Sequence, residues 1–218
     1  MSTPTYEIRR QGESRSFPEA HALTDGAGES GDVLIHLGRD IRHEDDAART
    51  AILIELGTEC LGVHTGESRG DEGSNVLGFA RFRMGDDAPS DLIELVRQPN
   101  TDEAALTAAR AVFEGAGLTV AVCEDFAGRM IDRMLRPYFN GALNRLDEKL
   151  ASADDLDLTL KLGLGYPEGP IALLERSGLH HHHDITQAIF EVTGKAAYAP
   201  ARRARVAAQR RDRRDGQG

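Results

Sequence analysis

Cysteine is scarce in this chain, and long apolar runs are missing from it. Only two of the 218 residues are cysteines, Cys60 and Cys123, and their spacing fits no metal-binding pattern. We therefore expect both to be small, buried side chains of an intracellular protein. No run of about eighteen apolar residues offers a transmembrane helix, and the first residues lack the hydrophobic core of a signal peptide. These absences favour a cytoplasmic protein with no membrane partner.

Acidic residues outnumber basic residues outside the C-terminus. The formal net charge is −10. From Arg202 onward, seven arginines against two aspartates give +5, which leaves −15 for the rest of the chain. An acidic body argues against a nucleic-acid-binding protein. We expect the basic tail to be a solvated helix end, and RNA or an acidic neighbour is the alternative partner for it.

The part of the chain before Asp125 alternates strand patterns with helix patterns, which is typical of an α/β layer. Strands are predicted from apolar runs that end at glycines, prolines or polar loops, and helices from apolar positions at helical spacing. The predicted strands are DVLIHLG, ECLGVHT, NVLGFARF, DLIELVRQP and LTVAVCED, and the predicted helices are HEDDAARTAILIELG and TDEAALTAARAVFEGAG.

Beyond Asp125 no strand pattern is found. Apolar residues recur at helical spacing from about 126 to 150, and Pro137 is expected to kink that helix. Ser152 is the predicted cap of the next helix, and two shorter helices and a final basic helix follow. The sequence therefore predicts an all-α region from residue 125 to the end.

Four motifs in the helical region resemble the C-terminal domain of the 3-hydroxyacyl-CoA dehydrogenases, a family that includes the 3-hydroxybutyryl-CoA dehydrogenases. They are GRMIDRMLRPYFNGAL, ASADDLD, GLGYPEGP and SGLH. The resemblance is nearly continuous from residue 125 to about 209. Residues 32–124 resemble, more weakly, the second half of the NAD-binding domain of that family.

The resemblance implies an α/β region followed by an all-α region. Residues 1–31 are interpreted as a polar arm or linker, with a short strand at TYEIR as the one regular element. Residues 32–124 are interpreted as a truncated Rossmann-like domain. Residues 125–218 are interpreted as the helical domain, which in the family packs against a dimer mate and walls the acyl-CoA cleft. A homodimer, or pairing with a complete dehydrogenase, is the implied assembly.

The catalytic positions of the family are mostly changed here. In the family, a histidine takes the proton of the hydroxyl group, a glutamate orients that histidine, and a serine and an asparagine hold the substrate oxygen. Glu94 falls on the glutamate position. The histidine position falls on Ala80, or on Arg81 if the register slips by one residue. Asp132 stands at the asparagine in the first helix, and His64 stands near the asparagine of the Ser/Asn-Thr-Ser strand end. The candidate catalytic residues are therefore Glu94, Asp132 and His64.

NAD is the cofactor of the family, but its binding fingerprint is not found. The fingerprint is a strand, a G-x-G-x-x-G turn and a helix whose N-terminus holds the pyrophosphate. The nearest match is GAGES at 26–30, with no apolar strand before it and no helix evident after it. No cofactor and no metal are therefore expected. The internal histidines His180–His183 lack the three converging ligands that a metal site needs.

Three functions remain open from the sequence. The first is a dehydrogenase-like protein of acyl-CoA metabolism that binds acyl-CoA or pairs with a dehydrogenase but does not itself oxidise with NAD. The second is a non-catalytic structural or regulatory dimerisation subunit. The third is an enzyme with altered chemistry that uses His64, Glu94 and Asp132. The Gly/Pro corner LGLGYPEGP is interpreted as structural, since glycines and prolines fix the entry of the next helix.

Overall fold

A computed structural model of the protein describes residues 3–216 and contains a six-stranded sheet in the order β1-β2-β3-β4-β5-β6. The strands are β1 (Tyr6–Gln11), β2 (Val33–Gly38), β3 (Ala51–Glu55), β4 (Val76–Arg81), β5 (Leu92–Arg97) and β6 (Thr119–Glu124). The first four strands are parallel to one another, β4 and β5 are antiparallel, and β5 and β6 are parallel. The carboxyl ends of β1 to β4 therefore share one edge of the sheet.

The helices are α1 (Ala22–Asp25), α2 (Gly62–Thr65), α3 (Glu103–Gly115), α4 (Met130–Asp147), α5 (Ala153–Leu164), α6 (Pro170–Ser177), α7 (Leu179–Thr193) and α8 (Arg202–Asp215). The first three belong to the α/β part and the last five to the helical part. The predicted order, an α/β layer followed by an all-α region, is confirmed. None of the helices within residues 3–216 is long and apolar enough to cross a bilayer.

The core of the α/β part lies between α3 and the sheet. Helix α3 buries small alanines and the larger Val112 and Phe113 on one face, and Phe113 packs against Phe79 of β4 with ring centroids 5.1 Å apart. Every residue of β2, β3 and β4 is buried. Central parallel strands are apolar on both faces, which is why their sequences form continuous apolar runs rather than alternating ones.

Two predicted elements between residues 43 and 65 are wrong. The run AILIE was predicted as part of a helix, but it is the buried strand β3. A short apolar run fits a buried helix and a buried strand equally well, and its position in the middle of the sheet decides between them. The segment ECLGVHT was predicted as a strand, but it contains the short helix α2. The Asp125 carboxylate accepts hydrogen bonds from the amides of Leu61 (2.7 Å) and Gly62 (2.8 Å) at its start.

The N-terminal residues are not a polar arm. The strand predicted at TYEIR is confirmed as β1, and it pairs along its whole length with β2. Phe17 and Leu23 are fully buried in the core of the α/β part, and the Tyr6 hydroxyl donates to the carbonyl of Leu23 at 2.9 Å. The few apolar residues of this polar segment are therefore the ones that anchor it, a pattern too sparse to predict from periodicity.

The chain divides into two compact units. The α/β unit comprises residues up to Arg83 together with Ala88–Arg129, and the helical unit comprises Met84–Asp87 together with the residues from Met130 onward. The four residues Met84–Asp87 come from the β4–β5 connection but belong to the helical unit. There Arg176 of α6 binds the Asp87 carboxylate at 2.7 and 2.9 Å.

The Gly/Pro corner of the helical unit joins α5 to α6. Gly165 ends α5 in the left-handed conformation, and Pro170 is the first residue of α6. The carboxylate of Asp157, on α5, accepts hydrogen bonds from the amides of Ile171 (2.8 Å) and Ala172 (2.9 Å). An aspartate at a helix N-terminus satisfies amides that have no partner within the helix. These contacts give the corner a structural role.

Candidate functional site

Glu94 lies in the middle of β5, on the α/β unit. Its side chain is only 2% exposed, and in the sheet register it stands opposite Ala80 of β4 and beside Ala121 of β6. The position assigned to the catalytic histidine of the family therefore does pair with the position assigned to its glutamate. In this chain the partner at that position is an alanine, which carries no titrating group.

Arg81, the other residue at the histidine position, is occupied by structural contacts. Its guanidinium donates to the carbonyls of Ser90 (2.7 Å), Ser16 (3.1 Å) and Pro89 (3.3 Å), and it lies over the ring of Phe17 at 5.0 Å from the centroid. A guanidinium stays protonated near neutral pH, so it cannot accept a proton there. Arg81 fastens the segment after β1 to the end of β4.

His64 lies in α2, whereas the sequence pattern predicted it at the end of a strand. Its Nε2 atom lies 3.6 Å from the carboxylate of Glu59, and its ring lies 6.5 Å from that of His43. The expectation that His64 takes the place of an asparagine at the end of a strand is therefore corrected, since the strand of this region, β3, ends at Glu55.

Asp132 lies in the first turn of α4 and forms a buried ion pair. Its Oδ1 accepts a hydrogen bond from Nε of Arg136 at 2.7 Å, and the Arg136 side chain is among the largest fully buried side chains. The two residues are four positions apart, so they stand above one another on the same face of the helix. The carboxylate of Asp132 is thus engaged by a neighbour on its own helix.

Arg136 continues into a buried polar network with His182 of α7. Nη1 of Arg136 lies 3.4 Å from Nδ1 of His182, and Nε2 of His182 lies 2.9 Å from Oδ1 of Asn140. The Asn140 amide group donates to the carbonyl of Ala197, and the amide of Ala201 donates to Oδ1, which fixes Oδ1 as an acceptor. His182 therefore carries its proton on Nε2 and accepts from Arg136 through Nδ1.

The environment of His182 keeps it neutral. Burial, followed by the positive charges of Arg136 and His183, lowers its pKa to about 3. A neutral imidazole with this tautomer satisfies one donor and one acceptor of its neighbours, whereas an imidazolium would direct a second N–H at a guanidinium. His182 is therefore suited to hold α4 and α7 together.

Neither cysteine is poised as a nucleophile. Burial raises the pKa of the Cys123 thiol to about 11, and burial together with the nearby Asp125 raises the pKa of Cys60. Because the thiolate is the reactive form, both groups are inert near neutral pH.

The carboxyl edge of β1 to β3 contains another buried carboxylate, Glu55, which the sequence did not single out. Oε1 of Glu55 accepts a hydrogen bond from the amide of Ser16 at 2.6 Å, and Oε2 accepts one from the amide of Gly38 at 2.8 Å. In open α/β sheets, this edge is where ligands bind. At this point of the sheet, the Glu55 side chain takes the place of a ligand, because it accepts the hydrogen bonds of both amides.

Gly38 is required where it stands. Its φ is +126°, and a Cβ atom there would lie 2.0 Å from the carbonyl oxygen of Gln11. Only glycine allows the ends of β1 and β2 to approach this closely while the Gly38 amide faces Glu55.

Sequence reasoning missed Glu55, Arg136 and His182 for different reasons. Arg136 could have been found, since an aspartate and an arginine four residues apart on a helix predict an ion pair. His182 belonged to a run of four histidines that gave no sign of which ring is buried. Glu55 carried no signal, because its two partners, Ser16 and the strand residue Gly38, lie far from it in the sequence and meet it only in the folded sheet.

Comparison with known proteins identifies the helical unit. Residues 128–218 match the family model described as 3-hydroxyacyl-CoA dehydrogenase, C-terminal domain. A 3-hydroxybutyryl-CoA dehydrogenase of Bradyrhizobium diazoefficiens is 34% identical over 110 residues, which are 50% of this chain and 38% of that enzyme. The human mitochondrial hydroxyacyl-coenzyme A dehydrogenase is 33% identical over 88 residues, which are 40% of this chain and 28% of that protein.

The similarity extends into the α/β unit in a third relative and in solved structures. A 3-hydroxybutyryl-CoA dehydrogenase of Mycobacterium tuberculosis is 28% identical over 171 residues, 72% of this chain and 59% of that enzyme. The crystal structure of (S)-3-hydroxybutyryl-CoA dehydrogenase from Ralstonia eutropha has a TM-score of 0.65 at 21% identity, and covers 80% of this chain and 64% of that one. That of M. tuberculosis FadB2 has a TM-score of 0.64 at 22% identity, with 79% and 64% covered.

The chain spans less than two thirds of the length of each of these relatives. The structural likeness shows a shared fold, and the sequence match is strongest in the helical unit. The helical unit is therefore similar in sequence to the C-terminal domain of the 3-hydroxyacyl-CoA dehydrogenases.

Proposed function

We propose that this chain is a non-oxidising member of the family that associates, through its helical unit, with a second copy of itself. The observation that carries the proposal is helix α5, which has no buried residue among its twelve. Amphipathic helices are stable in proteins mainly because they bury an apolar face. A helix that exposes its leucines is therefore expected to bury them against a partner.

The exposed apolar face of α5 is centred on Leu158 and Leu162. Their side chains are 50% and 78% exposed, and their spacing of four places them on one face. Leu164 and Tyr166 are exposed just beyond them. The resemblance implies that the helical domain is the dimerising half in this family, which supports the same assignment. A complete dehydrogenase of the family is the alternative mate.

The non-oxidising half of the proposal follows from a poor fit to a dinucleotide. A dinucleotide site needs a tight glycine turn leading straight from a strand into a helix, whose first amides hold the pyrophosphate. Here β1 ends at Gln11, and the next helix, α1, starts only at Ala22 and has four residues. Two amides at this edge already hold Glu55, whose negative charge would repel a pyrophosphate.

The missing base supports the same proposal. Of the two residues at the histidine position, Ala80 is inert and Arg81 is engaged by backbone carbonyls. The altered-enzyme alternative needed His64, Glu94 and Asp132 together. The ion pair of Asp132 with Arg136 leaves that alternative without a free second carboxylate in α4.

The pairing is tested by sedimentation velocity of the full chain and of Leu158→Asp/Leu162→Asp. The wild type is expected to sediment as a dimer, at twice its chain mass of 23.7 kDa. Two buried charges replacing central leucines should weaken association by at least about 100-fold, and so give a monomer.

The matched control is Val63→Asp, which changes a 71% exposed apolar residue of the α/β unit. This variant should remain dimeric. A wild-type monomer at every concentration, or a dimer that survives both changes in α5, would rule out pairing through this face.

Thermal stabilisation of the same preparation by an acyl-CoA tests the ligand that the resemblance implies, because a ligand of the native state raises its stability by mass action.

A further inference from the structure

Two backbone amides from separate segments of the chain converge on the Glu55 carboxylate. Ser16 lies five residues beyond the end of β1, and Gly38 is the last residue of β2. Their amides donate to different oxygens of Glu55, at 2.6 and 2.8 Å, and all three residues are buried. Backbone amides that point together at one anion are the arrangement by which proteins bind phosphates and other oxyanions.

The charge of Glu55 has no counter-ion in the part of the chain that the structure describes. None of the ion pairs found among residues 3–216 includes its carboxylate, although its residue is only 5% exposed. Buried carboxylates in proteins are normally paired with a cation. Here the two amide dipoles are the partners, as they would be for a bound oxyanion.

The segment that brings Ser16 to this point is fixed from its other side. The Ser16 hydroxyl accepts a hydrogen bond from the amide of Arg81 at 3.2 Å, and the Ser16 carbonyl accepts one from the guanidinium at 3.1 Å. The Ser14 hydroxyl accepts one from the amide of Phe17 at 2.8 Å. We call residues Ser14–Phe17 the plug. The plug is thus tied to β4 through Arg81 as well as to Glu55.

We propose that Glu55 is a built-in oxyanion: its carboxylate fills a small anion site, formed by the Ser16 and Gly38 amides, and thereby locks the plug over the carboxyl edge of the sheet. The inference is independent of pairing through α5. When the Glu55 side chain is shortened, small carboxylates and other oxyanions are expected to bind to the two amides in its place.

Glu55→Ala provides the test, because it removes atoms that correspond to one acetate ion. The variant should unfold at a lower temperature than the wild type, since two buried amides lose their acceptor. Acetate should then raise the unfolding temperature of the variant part of the way back to that of the wild type. This increase should grow with the logarithm of the acetate concentration. Chloride at equal ionic strength should not raise the unfolding temperature of the variant. The unfolding temperature of the wild type should rise no more in acetate than in chloride.

Glu55→Gln is the matched control. It fills the same space, so it leaves no room for acetate, and its NH2 group faces one of the two amides. It should be destabilised and not rescued. If acetate stabilises Glu55→Ala no more than it stabilises Glu55→Gln, the proposal that Glu55 is a built-in oxyanion is wrong.

A measurement on the wild-type chain covers the case in which neither variant folds. In a titration toward acid followed by NMR, the amide protons of Ser16 and Gly38 should shift together with one midpoint, because both bind the same carboxylate. Separate midpoints, or no shift at either amide while the fold persists, would overturn the proposal. Since all these readouts concern the α/β unit, they can fail without affecting the dimer test.

Discussion

Replacing Arg136 by methionine is expected to lower the free energy of unfolding of the helical unit by about 3–5 kcal/mol. The guanidinium donates to Asp132 and to His182 inside the helical unit, and the residue is only 1% exposed. Methionine fills much of the same volume but leaves the Asp132 carboxylate without its cation and Nδ1 of His182 without its donor. Breaking a buried ion pair by removing one partner costs more than removing both.

The reason for this effect is tested by a double-mutant cycle. Asp132→Asn removes the negative charge, so Arg136→Met should be less damaging in that background by at least about 1 kcal/mol. Urea unfolding followed by circular dichroism at helical wavelengths gives all four free energies. A single Arg136→Met variant within about 1 kcal/mol of the wild type would mean that the network contributes no more than an ordinary surface pair.

Acidification is expected to destabilise the protein progressively from about pH 6.5 downward. Burial and the nearby Arg136 lower the pKa of His182 to about 3, while burial and the nearby His43 and Arg9 lower that of His36 to about 4. In the unfolded chain both rings bind a proton near pH 6.5. Between these values the unfolded state therefore holds more protons, so the free energy of unfolding falls as the pH falls. Each pKa unit corresponds to about 1.4 kcal/mol.

The share of His182 in this acid sensitivity is tested by His182→Gln. Glutamine can donate to Asn140 and accept from Arg136 as the neutral imidazole does, but it does not titrate. Urea midpoints measured from pH 7 to pH 4.5 should therefore fall less steeply for the variant than for the wild type. Equal slopes would show that His182 is not kept neutral in the folded protein.

The elements found correctly from the sequence are those with strong local signals. Helix α3 has an acidic residue in its first turn, a continuous apolar face and a closing glycine, and β2 is an apolar run between glycines. The prediction for β3 was wrong because its five buried residues carry no periodicity that separates a strand from a helix. Its partners β2 and β4, which decide the matter, lie far away in the sequence.

The site was harder to predict than the fold, because its contacts are long-range. Asp132 was chosen for its place in a family pattern, and its partner Arg136 turns it into a structural pair. Glu55 was passed over because its run was predicted as a helix, although it is the end of the buried strand β3. Its two amide partners, Ser16 and Gly38, are supplied from 39 and 17 residues away.

The central claim is that the carboxyl edge of the α/β unit is closed and holds no dinucleotide. A titration of the full chain with NADH, followed by NADH fluorescence and run beside a complete 3-hydroxybutyryl-CoA dehydrogenase, tests it most directly. We predict that the fluorescence in the presence of this chain stays equal to that of free NADH up to millimolar concentration. A saturable change with a stoichiometry of one NADH per chain would contradict the account.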